Sequence, residues 1–255
     1  MKQVLIFDLL GPMAHFRKYY TNSSSLTYGF PPRTVLMGVV AAVLGYERDS
    51  YYKELDRGRF AIVIKAPGRR LIQTVNYVRT KKEDLTELRR LGRARGTQIP
   101  LEFLWPARGN HSLCFRVFFA HPDVGLVEEA ACRLRENRPY YPLYLGLTEC
   151  IARGEYVLLA GRGDYQAVPP GSRVSLHSLL NAALLQEMLL AGNKGACRLI
   201  REKAPHSFGP GRALRPPVSI IYEDRGQPFT VRLHVPAYRF LFQNGEEETV
   251  AFLEG

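Results

Sequence analysis

Residues 2–45 read KQVLIFDLLGPMAHFRKYYTNSSSLTYGFPPRTVLMGVVAAVLG. Lys2–Leu10 is an apolar, β-rich run and predicts a strand. Gly11-Pro12 breaks it. His15–Thr34 follows neither a helical nor a strand period. Pro31-Pro32 then opens a helix over Arg33–Gly45, with proline in its first turn and Gly45 as its stop. The helix is apolar nearly all round, so it is buried on most faces.

Working outward, Arg59–Lys65 (RFAIVIK) and Leu71–Arg79 (LIQTVNYVR) predict two strands joined at Pro67-Gly68. Thr80–Thr97 is a charged stretch, and Gln98–Pro106 is extended and carries the only Trp, Trp105. Ser112–Ala120 (SLCFRVFFA) predicts a strong strand, Pro122–Asn137 an amphipathic helix, and Tyr156–Ala160 a further strand. Strand, helix, strand, then strand, helix, strand is the ferredoxin-like βαββαβ pattern. The expectation is an α+β fold with this body over residues 1–204 and an insertion at about 80–110. Leu176–Leu190 predicts a helix ended by Gly192–Gly195. Ser219–Glu223 and Thr230–Val235 predict a hairpin across Asp224–Pro228, within a small β-rich region at 205–255.

At 255 residues the chain is long enough to bury a sizeable core. With 46% hydrophobic and 23% charged residues it is neither disordered nor a coiled coil. Lys+Arg minus Asp+Glu is 35 − 24 = +11, which calls for a polyanionic partner, nucleic acid before anionic membrane. The longest apolar run, Val35–Leu44, is too short to span a bilayer, so no membrane partner is expected. Cys114, Cys132, Cys150 and Cys197 form no CxxC and read as reduced, mostly buried thiols of a cytoplasmic protein.

Three segments stand out chemically. His15–Arg33 combines the cations Arg17, Lys18 and Arg33 with His15, the rings of Phe16, Tyr19, Tyr20 and Tyr28, and the hydroxyls of Thr21, Ser23, Ser24 and Ser25. Cations neutralise phosphates, hydroxyls position them, and aromatic faces stack unpaired bases, a set suited to single-stranded RNA. The alternative is a solvated loop that packs its aromatics on the core. Arg69–Arg95 carries nine basic and three acidic residues, a net of +6 that exceeds half of the chain's surplus. Its Arg89, Arg90, Arg93 and Arg95 would suit a projecting arm that clasps a phosphate chain, or simply a solvated charged loop. Pro139–Gly146 (PYYPLYLG) is either a rigid aromatic loop or core packing of tyrosines, the latter favoured. There is no GxGxxG, no GxxxxGK[ST], no HExxH and no GxSxG. The carboxylates are scattered and the six histidines lack ligand spacing, so no metal or other cofactor is expected.

Phe7–Gly45, with its Pro-Pro-Arg-Thr helix entry, resembles the N-terminal signature of the fifth CRISPR-associated protein family. The YPLYLG segment at Tyr141–Gly146 and the Asp224–Leu233 stretch fit the same pattern. Asn22–Tyr28 is most similar to the subtype I-B branch. The resemblance implies an RRM-like body, a thumb formed by the 80–110 insertion, and a small C-terminal β region. It implies a non-catalytic subunit of a type I Cascade complex that caps the 5′ handle of the guide RNA (crRNA). Its partners would be the terminal backbone subunit and the large subunit, with target DNA close by. His15–Tyr28 and Arg33 would hold the handle, and Arg89–Arg95 would sit on the thumb. The subtype I-C branch implies a different role, a metal-independent endoribonuclease that cleaves repeat RNA. Here His15, Lys18 and Tyr19 or Tyr20 supply the residue types for it.

Overall fold

The computed structural model describes residues 1–21, 25–92, 96–189 and 197–255. Its fold is mixed α+β with mostly antiparallel sheets. β1 (Val4–Gly11) leads through the basic-aromatic segment to α1 (Arg33–Leu44), the short α2 (Tyr52–Leu55) and β2 (Arg59–Ala66). A hairpin of β3 (Gly68–Val78) and β4 (Gly96–Pro106) follows, with α3 (Lys82–Leu91) at its tip. β5 (Leu113–Ala120), α4 (Val124–Arg135), β6 (Leu143–Tyr144) and β7 (Ile151–Ala160) complete the first part. The sheet order is β2-β5-β1-β7-β6.

Why these strands sit at the centre follows from their two-residue period. Leu5, Phe7 and Leu9 of β1, Phe60, Ile62 and Ile64 of β2, and Phe115, Val117 and Phe119 of β5 share one core with α1 and α4. The alternate residues, Val4, Ile6, Ala61, Val63, Phe118 and Ala120, face a second core. A strand buried on both faces reads as a continuous apolar run, and these do. Asp8 and Arg116 are cross-strand partners on the second face, and the guanidinium grips the carboxylate at 2.8 and 2.9 Å.

The second face is covered by the C-terminal third. Its strands are β8 (Tyr165–Val168), β9 (Val174–Leu176), β10 (Leu180–Asn181), β11 (Leu185–Met188), β12 (Leu199–Ala204), β13 (Val218–Glu223), β14 (Phe229–Leu233), β15 (Ala237–Leu241) and β16 (Glu247–Val250). They form sheets of order β10-β13-β12, β11-β14-β9 and β16-β15-β8. Phe240, Val250 and Phe252 enter the second core. Glu248 of β16 takes Arg116 at 3.1 Å and Lys65 at 2.7 Å, so buried charge as well as packing fastens the layers.

Five expectations change. The helix expected at Leu176–Leu190 is strands β9, β10 and β11 up to Met188, because partners on β13 and β14 supply the ladders that the leucines pack beneath. β13 and β14 form no hairpin with each other: both edges of each are taken by other strands. The boundary expected at 205 cuts through sheets, since β12 pairs β13 and β8 pairs β15. The insertion begins at Gly68 and not at 80, since Arg69–Val78 pairs with Gly96–Trp105. Of the four free thiols, Cys150 is buried and Cys132 is exposed on α4, against the expectation of burial.

Candidate nucleic-acid interface

The segment after β1 folds back on itself and leans on the root of the β3–β4 hairpin. Lys18 N–H donates to the Leu26 carbonyl at 2.9 Å and Tyr28 N–H to that of Phe16 at 2.9 Å. Ala14 exchanges two bonds with Leu104, at 2.9 and 2.8 Å, and Glu102 N–H donates to the Ser25 carbonyl at 2.9 Å. The chain here is extended, so neighbouring side chains part company. His15 and Arg17 line a cleft, while Phe16, Lys18 and Tyr28 turn inward.

The cleft has a volume of about 480 Å³ and lies between this segment, the outer half of the hairpin (Tyr77 and Gln98–Leu101) and the Gly146–Leu147 corner. Arg17, Ser25, Tyr77 and Gln98 give it polar atoms; Val35, Ile99 and Leu147 give it apolar wall. His15 Nδ1 lies 2.7 Å from the Glu102 carbonyl, which can only accept, so that nitrogen carries the proton. Nε2 therefore accepts from the Ser25 hydroxyl at 3.0 Å. Burial lowers the pKa of His15, which keeps the ring neutral at pH 7. Gly146 closes the corner at φ +92°, and a Cβ there would stand 2.0 Å from the His15 carbonyl oxygen.

The inward-turned residues are committed inside the chain. Phe16 packs edge-on against Phe115 at 5.9 Å. The Tyr28 hydroxyl donates to the Lys203 carbonyl at 2.7 Å, and burial raises its pKa. Lys18 Nζ meets Glu202 at 2.5 Å and lies over the Tyr28 ring. Thr21 spends its hydroxyl on the Lys18 carbonyl at 2.9 Å. Arg70 of β3 reaches the same Glu202 at 3.5 Å and the Tyr222 hydroxyl at 3.2 Å. One carboxylate thus ties together the loop, the hairpin and the C-terminal sheets.

Arg33 is the largest departure from expectation. It is 2% exposed. Its fork donates to the Asp56 carboxylate at 2.8 Å, to the carbonyls of His206, Asp56 and Gly58 at 2.9, 2.8 and 2.8 Å, and to Glu254. A guanidinium so satisfied has no donor left for a phosphate, so Arg33 is an internal anchor and not a handle ligand. Lys18 is corrected too, because it is buried and its ammonium is paired with Glu202.

The groups open to a ligand are Arg17, Tyr19 and Tyr20 on the loop and Arg89 and Arg90 on α3. Tyr19 and Tyr20 are 40% and 51% exposed, edge to face at 5.1 Å. Arg89 and Arg90 fall in the last turn of α3, where cations suit the helix dipole, and Glu83 and Asp84 in its first. Ser23, Ser24, Arg93 and Arg95 lie outside the described residues. The favoured core packing of the Pro139–Gly146 tyrosines does not hold: Tyr140, Tyr141 and Tyr144 are exposed, and the buried side chains there are Leu143 and Leu145. Tyr77 and Gln98 escaped the sequence reading because only the hairpin pairing, Asn76 opposite Gln98, brings them to the loop, and Leu147 because the His15 N–H bond to the Leu145 carbonyl brings its corner there. The runner-up nuclease group does not converge: His15 bonds to Glu102 and Ser25, Lys18 to Glu202 on β12. Among the described residues no three His, Cys, Asp or Glu side chains gather to hold a metal, and no helix is long and apolar enough to cross a membrane.

The class that this structure defines is a mixed α+β protein of mostly antiparallel sheets, with a long basic hairpin and a cleft beside it that Arg17 lines. Residues 4–187 match the family described as CRISPR-associated protein (Cas_Cas5), and the chain belongs to that family. Among solved structures it is similar to a CRISPR protein from Archaeoglobus fulgidus, at 14% identity and a TM-score of 0.57, over 97% of this chain and 99% of that one. It is also similar to a chain of a CRISPR RNA-guided surveillance complex, at 18% identity and a TM-score of 0.49, over 90% and 91% of the two chains. No curated protein matches.

Proposed function

We propose that the chain is a non-catalytic RNA-binding subunit of a type I Cascade complex, of subtype I-B, that caps the 5′ handle of crRNA. In this reading it works in the cytoplasm, touches the terminal backbone subunit and the large subunit, and lies near target DNA. The order β2-β5-β1-β7 with α1 and α4 on one face supports an RRM-like, ferredoxin-like body. The observation that carries the function is the grouping of Arg17, Tyr19 and Tyr20 beside a cleft of about 480 Å³, with Arg89 and Arg90 on the hairpin above it. Stacking faces next to phosphate-neutralising cations suit an unpaired RNA strand. Lys18 held by Glu202, away from His15, supports binding without cleavage.

The test uses end-labelled CRISPR repeat RNA in EDTA, on native and denaturing gels. Intact RNA with a salt-sensitive shift is the expected result. Arg17→Ala combined with Arg89→Ala and Arg90→Ala lowers the slope of log K against log salt by about 2, at roughly 0.7 per lost phosphate contact. A discrete product that persists in EDTA would overturn the non-catalytic reading, and absence of any shift at moderate salt would overturn RNA binding.

A further inference from the structure

A second concave, basic site lies at the opposite end of the central sheet. Its cleft of about 340 Å³ is lined by Met1, Lys2, Arg57, Arg59, Ala120, His121 and Pro122. Strand register fixes where it is. Arg59 stands opposite Ala120, and Leu5 opposite Phe119, whereas the first cleft lies beyond Gly11 at the other end of β1. Six residue steps of strand separate the two ends, roughly 20 Å.

Three cations meet there. Lys2 is exposed and, among the described residues, pairs with no side-chain carboxylate. Arg57 is exposed and meets only Glu54, at 3.3 Å, an exposed pair of small worth. Arg59 is the built part. Its guanidinium lies 4.8 Å from the Phe252 ring and 5.9 Å from that of Tyr238, and it donates through Nη2 to the Gly255 oxygen. Its Nε is buried with no partner in the chain. A stacked guanidinium is held in one orientation before any ligand arrives, which fixes its charge at the wall of the cleft. His121 lends shape and no charge: Nδ1 accepts from Asp123 N–H at 3.1 Å, and Nε2 lies 3.1 Å from the Glu54 carbonyl and 3.7 Å from its carboxylate. Three of the side chains that line the cleft are cations and none is a carboxylate; Glu54 stands beside Arg57.

We propose that this cleft is a phosphate-binding site, separate from the one described above. The phosphate belongs either to a polynucleotide backbone or to a small phosphorylated solute, and the experiment has an arm for each. In the first arm, inorganic phosphate is titrated into the full chain at constant ionic strength, followed by backbone amide NMR. The expected result is saturable shifts around Gly58, Ala120 and His121. These weaken at least fivefold in the Lys2→Ala, Arg57→Ala double variant, both side chains being exposed, and persist in Arg17→Ala. Arg59→Lys, which keeps the charge and loses the fork, weakens them as well. In the second arm, a 12-nucleotide single-stranded RNA is bound across a salt series. A polynucleotide source lowers the slope by about 1.4 in the double variant, at roughly 0.7 per cation. An unchanged slope with phosphate binding intact assigns the site to a small solute. Shifts that fail to saturate, or that the double variant leaves unchanged, overturn the proposal and leave the RNA-binding reading untouched.

Discussion

Replacing Arg33 by alanine removes a guanidinium that two carboxylates and three carbonyls share. Asp56 keeps a neighbour in Arg215 at 3.5 Å, and Glu254 keeps the Phe60 N–H at 2.9 Å. The rest of their charge is left facing a site that was 2% open. Breaking a buried ion pair from one side costs about 3–5 kcal/mol. Against the ~5–15 kcal/mol that holds a domain folded, this is a large share. For a chain of this size it translates to a fall in Tm of roughly 6–20 °C. Arg33→Lys keeps one positive charge and loses the fork, so its loss is smaller, about 1–3 kcal/mol. The assay is urea unfolding followed by far-UV circular dichroism, with RNA affinity measured on the folded Arg33→Lys protein. The reasoning predicts a lowered midpoint for both variants and near-parental RNA affinity for Arg33→Lys. An Arg33→Ala protein within 1 kcal/mol of the parent that no longer binds RNA would refute it, and would return Arg33 to the list of RNA ligands.

Glu202→Gln leaves Lys18 and Arg70 without their shared carboxylate; we expect a loss of about 2–4 kcal/mol, seen by chemical denaturation, and faster amide exchange at the hairpin root. Gly146→Ala places a methyl group 2.0 Å from the His15 carbonyl carbon's oxygen at a positive φ, so the corner must open; a loss of at least 2 kcal/mol is expected by the same measurement. His206 is held neutral, its pKa lowered to about 4 by burial and then by the Arg33 charge. The unfolded chain takes up the proton near pH 6.5 and the folded chain only near pH 4, so stability falls as pH drops through that window. The expected loss from pH 7 to 5 is about 1 kcal/mol for this half-buried group, and a His206→Gln protein should lack that share of the slope in a pH series of urea melts.

Much of the fold could be read locally. Val4–Gly11, Arg59–Ala66 and Leu113–Ala120 are buried on both faces and announce themselves as apolar runs, and α1 is bracketed by Pro32 and Gly45. The leucines from 176 to 188 mislead because their ladder partners lie on β13 and β14, beyond any local window. The same distance explains the site. Arg17, Lys18 and Arg33 look alike in sequence as cations among aromatics. Only Glu202 and Glu254, 184 and 221 residues further on, decide that two of them are internal and one is free. Composition therefore singled out the loop and could not say which of its charges face outward.

The Arg33 anchor also has a consequence for how the protein is made. Its carboxylate partner Glu254 lies 221 residues downstream, and the Phe60 N–H waits for the same side chain. At roughly 5–20 residues per second, ribosomal synthesis takes on the order of 10–40 s to cover that span. Throughout that interval the entry to α1 carries a cation with its pocket half built. The nascent N-terminal sheet is thus held short of its finished state until Glu254, beyond the last strand, emerges, and translation products cut short of it would be left open at that seam for proteolysis.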